Sequence, residues 1–226
     1  MMTLRIAHRG APYFAPENSL QGFEKALSFS PDMVEMDLRS CRGGHAVVIH
    51  DKTINRVTNG KGKVSKLTLE KLRTFRLANG EPIPTFAEAL EVLRGRADIK
   101  IDVKSRGMEG VVVRALRRMG ILRQTIVIAY GRKSLLAFRN EGGASLRTEL
   151  GGVYAPHRRL RAVSSALKSG ATIISANHTL VNAKFVEKCR SRGLDIHAWT
   201  VNTKQEADRL RELGVAAIAT DRLDII

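Results

Sequence analysis

Short apolar segments alternate with amphipathic segments along most of this 226-residue chain. The apolar segments, rich in Ile, Val and Leu, have the length and composition of strands. They are centred near residues 5, 34, 99, 126, 147, 173, 196 and 216. Between them the apolar residues recur at helical spacing. Strands and helices in this alternation predict a (β/α)8 TIM barrel. An open doubly wound sheet is the alternative, and the absence of a glycine-rich dinucleotide loop after the first strand weakens it.

One further apolar segment, residues 46–50, does not fit the alternation. It follows the strand at 33–38 after a short turn that contains Gly43 and Gly44. A parallel neighbour needs a connection of about a dozen residues or more. We therefore expect 46–50 to be a hairpin partner of 33–38 outside the parallel barrel. From about 51 to 84 the alternation stops, which predicts a small insertion after the second barrel strand. The whole of 1–226 is predicted to be a single barrel domain with this insertion.

Several predicted helices begin with a polar residue followed three positions later by Glu or Gln. In this spacing the first side chain caps the helix and the second reaches back to the backbone of the cap, an arrangement called a capping box. We expect each of these pairs to mark the first turn of a helix. The pairs are Asn18 with Gln21, Thr85 with Glu88, and Thr203 with Glu206.

The strand at 33–38 places two carboxylates on the same face. Side chains alternate along a strand, so Glu35 and Asp37 point one way and the apolar residues between them point the other. Two like charges at close range disfavour each other's ionisation, so the pair needs either solvent or a cation. Asp102 lies near the carboxyl end of a neighbouring predicted strand. Three converging carboxylates form a hard-oxygen site suited to Mg²⁺, Ca²⁺ or Mn²⁺.

Basic and histidine side chains also occur where predicted strands end, which is where barrel enzymes carry their active sites. Arg9 and Lys104 would flank the carboxylates with fixed positive charge, and such charge binds phosphate oxygens. His8 and His50 can serve as an acid–base pair, because the ordinary pKa of histidine is about 6.5. Each residue taken singly is compatible with a structural role. Their joint position at strand ends favours phosphate chemistry.

The formal net charge of +16 favours an anionic partner such as nucleic acid, an anionic membrane surface or a phosphorylated substrate. Aromatic residues make up only 5% of the chain and are not interleaved with the basic clusters, so we expect no nucleic-acid partner. No apolar run approaches the ~18 residues of a membrane span. We expect a soluble, cytoplasmic protein, monomeric or homodimeric, and peripheral membrane contact stays open.

The ordered set of short motifs resembles the glycerophosphodiester phosphodiesterase family, and the resemblance runs from about residue 6 to residue 221. The matching stretches are His8-Arg9-Gly10, Pro16-Glu17-Asn18-Ser19, Glu35-Met36-Asp37, His50-Asp51, Asn59-Gly60-Lys61-Gly62, Ile83-Pro84-Thr85, Asp102-Val103-Lys104, Trp199-Thr200-Val201-Asn202 and Thr220-Asp221.

This resemblance implies metal-dependent hydrolysis of glycerophosphodiesters to an alcohol and glycerol 3-phosphate. It implies that the divalent cation, Mg²⁺ or Ca²⁺ with Mn²⁺ as a further option, is bound by carboxylates, and that a histidine pair supplies acid–base catalysis. Two basic residues would hold the phosphate, and a tryptophan would line the glycerol pocket. The implied metal ligands are Glu35, Asp37 and Asp102, the implied acid–base pair is His8 and His50, and the implied substrate residues are Arg9, Lys104 and Trp199.

In the region of the last strand, Ala216-Ala217 and Leu223 stand where the family usually has Asp-Gly and Pro. The chain also departs from the family pattern at two other strand ends. Asp102 stands where the family usually has Glu, and Ala129-Tyr130 stand where it usually has Ser-Phe. An Asp at this position resembles the related sphingomyelinase D-like phospholipases, and this resemblance implies, as an alternative, a phospholipase D-like enzyme acting on lysophospholipid headgroups. A further alternative is a non-catalytic barrel that binds phosphate or nucleic acid. The order in which the two histidines act stays open.

Overall fold

The computed structural model describes residues 2–153 and 155–226, and these form a closed parallel barrel. Eight strands pair in parallel with their neighbours, and the first of them pairs with both the second and the last, so the sheet closes into a ring. This confirms the predicted (β/α)8 barrel. The parallel strands are β1 (Leu4–Ala7), β2 (Met33–Ser40), β4 (Asp98–Val103), β5 (Thr125–Ala129), β6 (Arg147–Val153), β7 (Ile173–Asn177), β8 (Asp195–Trp199) and β9 (Ala217–Thr220).

Helices occupy the connections between the strands, as the helical spacing of apolar residues predicted. Their inward faces bury apolar side chains against the outside of the barrel, which gives the main hydrophobic core. The helices are α1 (Leu20–Leu27), α2 (Leu69–Leu72), α3 (Phe86–Leu93), α4 (Glu109–Met119), α5 (Arg132–Gly142), α6 (Arg159–Ser169), α7 (Ala183–Arg190) and α8 (Lys204–Leu213). None of the helices within the described residues has both the length and the apolar composition that crossing a membrane requires.

The strand-like segment after β2 forms β3 (Ala46–Val48), which pairs antiparallel with β2. The expected hairpin is therefore confirmed, since the turn is too short for a parallel crossover. The segment from 51 to 84 contains α2 and a 3₁₀ turn at Val64–Lys66. Its apolar residues, such as Ile54, Leu72 and Leu77, pack with Val47 and Ile49 in a cluster separate from the main core.

Helix starts follow the capping predictions in part. Thr203 caps α8, but the Glu206 carboxylate binds His178 and Arg209 and does not reach back to the backbone of the cap. Thr85 and Glu88 form the expected capping box. At α1, however, the cap is Ser19, whose hydroxyl accepts from the Gly22 backbone, so the prediction of Asn18 as the cap was wrong. Asn18 has a left-handed backbone with φ of 55°, which a helix cap does not adopt. Its side chain instead hydrogen-bonds to Asp37, so a tertiary contact displaces the cap by one residue.

The inside of the barrel changes from apolar to charged along the strand direction. Near the strand starts Ile6, Met33 and Ile173 belong to one apolar cluster. Further along, Lys100, Glu149 and His197 are buried together. The Lys100 Nζ and the His197 Nδ1 each lie 2.9 Å from a Glu149 carboxylate oxygen. These three residues, here called the charged layer, come from alternate barrel strands, as side-chain layers in such barrels do.

Candidate active site

A cavity opens at the carboxyl ends of the barrel strands. The structure brings all eight sequence-predicted site residues to this one cavity, and Lys100, Tyr130 and Ser175 also line it. This finding shows that the eight residues lie close together, and the chemical role of each residue stays a prediction. The eight are His8, Arg9, Glu35, Asp37, His50, Asp102, Lys104 and Trp199.

Three buried carboxylates meet on one side of the cavity. Glu35, Asp37 and Asp102 each offer an oxygen within 4.8 Å of the others, because Asp37 and Asp102 are register partners on neighbouring strands. Burial and the adjacent Asp37 raise the pKa of Glu35 to about 7. Burial also raises the pKa of Asp102, although Lys104 opposes this. Burial and mutual repulsion therefore disfavour simultaneous ionisation of all three carboxyl groups.

One oxygen of this cluster has no donor. Asp102 Oδ1 is buried and has no hydrogen-bond partner among the described residues. A buried carboxylate oxygen without a partner is costly in an apolar setting, and a bound cation would satisfy it. Hard carboxylate oxygens at this separation fit a divalent cation of the Mg²⁺, Ca²⁺ or Mn²⁺ type. The residues present therefore fit a metal.

Two cationic side chains flank the carboxylates. The Lys104 Nζ lies 2.6 Å from Asp102 Oδ2 and 3.3 Å from Asp37 Oδ1. The Arg9 Nε lies 3.2 Å from Asp37 Oδ2, and the Arg9 backbone N–H donates to Glu35 Oε2 at 2.7 Å. Burial alone would raise the pKa of Asp37, but Lys104 and Arg9 hold it below its ordinary value. Asp37 is thus the carboxylate that these two cations keep ionised.

The turn after β1 that carries His8 and Arg9 depends on Gly10. Gly10 has a φ of 88°, in the left-handed region that side-chain-bearing residues rarely adopt. A Cβ at this position would also lie 2.9 Å from the Gly22 carbonyl in α1. Glycine therefore allows the turn to pack against α1 with Arg9 facing the carboxylates.

Each site histidine is held by an aspartate. His8 Nδ1 lies 2.7 Å from Asp221 Oδ1, and His50 Nδ1 lies 2.7 Å from Asp51 Oδ1. Such a bond fixes the ring orientation and leaves Nε2 for chemistry in the cavity. Burial would lower the pKa of His8, but Asp221 and Glu35 outweigh it and raise that pKa.

Sequence reasoning did not include these two aspartates among the site residues. Asp51 directly follows His50, and Asp221 follows the last strand. Both aspartates lie within motifs that match the family, and this position could have indicated that they belong to the site.

The aspartates are in turn fixed by further polar residues. The Asn202 amide donates to Asp221 Oδ2 at 2.8 Å. Arg56, from the insertion, donates to Asp51 and forms a two-pronged pair with Glu17 at 2.7 and 2.8 Å. The hydrogen bond from Arg56, despite some burial, lowers the pKa of Asp51 to about 2. The insertion therefore supports the His50 side of the site.

Tyr130 also contacts the carboxylate cluster. Its hydroxyl donates to Asp102 Oδ2 at 2.6 Å and accepts from Lys104 Nζ at 3.1 Å. Two of the departures noted in the sequence, Asp102 and Tyr130, are therefore in direct contact. Sequence reasoning did not assign Tyr130 to the site, because the contact joins the ends of two different strands.

Comparison with known proteins agrees with this geometry. Residues 8–225 match the model of the glycerophosphoryl diester phosphodiesterase family. The chain is 30% identical over 244 residues to a glycerophosphodiester phosphodiesterase from Caldanaerobacter subterraneus subsp. tengcongensis, and the match covers 98% of this chain and 95% of the relative.

Solved structures share the fold over nearly the whole chain. The glycerophosphodiester phosphodiesterase structure from Agrobacterium tumefaciens str. C58 has a TM-score of 0.85 and 26% identity, covering 99% of this chain and 98% of that one. An Oleispira antarctica phosphodiesterase, solved with the product sn-glycerol-3-phosphate, has a TM-score of 0.86 and 21% identity, and the match covers 99% of this chain and 95% of that one. With the family model matching almost end to end, the chain belongs to the glycerophosphoryl diester phosphodiesterase family.

Proposed function

We propose that this protein hydrolyses glycerophosphodiesters to an alcohol and sn-glycerol 3-phosphate. The observation that supports this most is a single cavity that combines a carboxylate cluster, two aspartate-held histidines and two cationic side chains. The reaction matches the family to which the chain belongs. The Oleispira antarctica relative, which shares the fold, was solved with sn-glycerol-3-phosphate.

Glu35, Asp37 and Asp102 would hold a divalent cation, Mg²⁺, Ca²⁺ or Mn²⁺. When bound, such a cation neutralises negative charge on the phosphate oxygens. The unpartnered Asp102 Oδ1 and the raised pKa of Glu35 support this assignment. Tyr130 and Lys104 would keep the other Asp102 oxygen oriented.

His8 and His50 would transfer the protons of the reaction. One imidazole would take the proton of the attacking glycerol hydroxyl as its bond to phosphorus forms, and the other would give its proton to the leaving alkoxide as that P–O bond breaks. Water would then open the resulting cyclic phosphate by the reverse proton transfers, which gives glycerol 3-phosphate. Asp221 and Asp51 hold the Nδ1 atoms, so Nε2 of each ring is the atom that exchanges protons. Either order of the two histidines satisfies this geometry.

Arg9 and Lys104 would bind the phosphate, and Trp199 would line the pocket for the glycerol. Arg9 and Lys104 already lie beside Asp37, so a phosphate bound next to the carboxylate cluster would meet both positive groups. Arg56 of the insertion bonds to Asp51 and Glu17, which supports a single domain over 1–226 with the insertion at 51–84 as part of the active site.

The test is release of glycerol 3-phosphate from glycerophosphocholine by the wild type and by His50→Ala. We expect the variant to lose about 10²- to 10⁴-fold in turnover, the usual contribution of a general acid or base, while still binding Mg²⁺. The control is His45→Ala, because His45 is an exposed histidine on the β2–β3 turn. Full activity of His50→Ala would remove this residue from the mechanism.

A second substrate separates the proposal from its rival. If wild-type protein releases choline from lysophosphatidylcholine and nothing from glycerophosphocholine, the phospholipase D-like activity replaces the proposed one.

A further inference from the structure

Large apolar side chains are exposed on the barrel face where the cavity opens. Tyr13 is 61% exposed, Leu160 is 66% exposed, and Phe14 and Tyr130 are each 40% exposed. All four follow the carboxyl end of a strand: β1 for Tyr13 and Phe14, β5 for Tyr130, and β6 for Leu160. Tyr130 also lines the cavity. Tyr130 therefore presents apolar surface at the cavity mouth, and Leu160 presents it in the connection after the next strand, whereas Tyr13 and Phe14 are partly covered by Arg222 and Phe29.

Exposed cations accompany these side chains after β4, β5 and β6. None of them forms an ion pair with another of the described residues, although Arg and Lys on α8 do so repeatedly. In sequence, these three connections contain two acidic residues, Glu109 and Glu141, and Glu141 lies near the far end of α5. This sector, here called the basic rim, consists of Arg106, Tyr130, Arg132, Lys133, Arg158, Leu160 and Arg161.

The rim cations do not stabilise the helices on which they lie. Arg132 and Lys133 occupy the first turn of α5, and Arg161 the first turn of α6, where the helix dipole is positive. Neither first turn contains an acidic residue, and neither helix has a side-chain cap. By contrast, α3 begins with a capping threonine and an acidic residue. Like-signed side chains are thus gathered at the positive ends of both helices, without an acidic side chain in either first turn.

We propose that the basic rim is a docking surface for an anionic lipid bilayer. Unpaired cations are drawn to the negative surface of such a membrane, and exposed Leu and Tyr side chains enter the boundary between headgroups and acyl chains. Phosphate groups of a nucleic acid would use the cations and leave Leu160 without a role. Docking on this face turns the cavity mouth toward the headgroups. Tyr130 belongs to both the rim and the proposed active site and is therefore left unchanged in the test, and none of the residues varied below is assigned to the hydrolysis.

The experiment is cosedimentation of the full chain with vesicles of phosphatidylcholine alone or of equal parts phosphatidylcholine and phosphatidylserine. We expect binding to the mixed vesicles that weakens as salt is raised. The double variant Arg158→Ser/Arg161→Ser is expected to bind roughly 30-fold more weakly, at about fivefold for each cation removed. Its control, Arg118→Ser/Lys168→Ser, removes the same charge from the last turns of α4 and α6 at the opposite end of the barrel.

Leu160→Ser distinguishes a bilayer from a purely electrostatic partner. It is expected to weaken vesicle binding, whereas Leu167→Ser, two turns further along the same helix and also exposed, leaves it unchanged. All these variants should keep wild-type turnover of soluble glycerophosphocholine. The proposal is overturned if the wild type does not bind mixed vesicles, or if the rim and control double variants lose vesicle affinity equally. It is also overturned if Leu160→Ser binds vesicles as the wild type does while duplex DNA competes with the vesicles for the protein.

Discussion

Glu149→Gln is predicted to destabilise the barrel strongly, because it removes the negative charge that pairs with the buried Lys100 ammonium and contacts the buried His197 ring. Glu149 is fully buried, and Lys100 and His197 are 2% and 3% exposed. The two Glu149 oxygens lie 2.9 Å from Lys100 Nζ and from His197 Nδ1. Glutamine has the same shape and keeps one acceptor, so the change tests charge with little change in packing.

The size of the effect follows from the charge left behind. Removing one partner of a buried ion pair costs about 3–5 kcal/mol. Burial alone would raise the pKa of Glu149, but Lys100 and His197 hold it at about 2, against an ordinary value of 4.5. That gap corresponds to about 3 kcal/mol of stability at neutral pH. For a chain of this size we expect the melting temperature to fall by roughly 6–20 °C.

The buried charge of Glu149 also predicts that the stability of the protein depends on pH. Because the pKa of Glu149 is depressed in the folded state, its stabilisation is present above the unfolded value of 4.5 and is lost as the pH falls toward about 2. The pKa of His197 is also lowered, by burial that Glu149 only partly offsets. Its contribution therefore declines as the pH falls below 6.5. Glu149→Gln should flatten the stability curve of the folded protein between pH 4.5 and 2.

Urea unfolding followed by circular dichroism measures the free energy of unfolding across this range. The matched control is Asp98→Asn, since Asp98 pairs with Arg147 on the same two strands but both side chains are about two-fifths exposed. An exposed pair contributes about 0–1 kcal/mol. If Glu149→Gln costs no more than Asp98→Asn, the charged layer does not stabilise the barrel and the reasoning fails.

Two further predictions concern the carboxylate cluster. Asp37→Asn should weaken Mg²⁺ binding about tenfold or more, because it removes one of the converging charges, and unchanged affinity by calorimetry would exclude Asp37 as a ligand. Tyr130→Phe should weaken Mg²⁺ binding by about 10- to 100-fold, as loss of a supporting hydrogen bond to a metal ligand does, with little change in melting temperature. The same affinity as wild type would mean that Lys104 alone orients Asp102.

The architecture could be predicted from the sequence because it depends on local periodicity. The alternation of strand-like and helix-like apolar patterns predicted the barrel. The short link at Gly43-Gly44 predicted that β3 pairs antiparallel with β2. The site residues could be predicted to converge because they follow strand ends, which meet on one face of a barrel.

Contacts between distant residues could not be predicted in this way. Lys100, Glu149 and His197 lie far apart in sequence, and each alone is typical of a solvated side chain, so the charged layer is visible only once the barrel closes. Asn18 was assigned to a helix cap on local spacing, although its contact with Asp37 decides its conformation. Nor did spacing indicate that Arg56, in an irregular insertion, would fix Asp51.

The central claim is metal-dependent hydrolysis at the Glu35, Asp37 and Asp102 cluster. The most direct test measures release of glycerol 3-phosphate from glycerophosphocholine by wild-type protein, first with EDTA and then with Mg²⁺, Ca²⁺ or Mn²⁺ added back. The account predicts no release with EDTA and recovery with at least one of these cations. Release that EDTA does not change, or no release with any of the three cations, would contradict it.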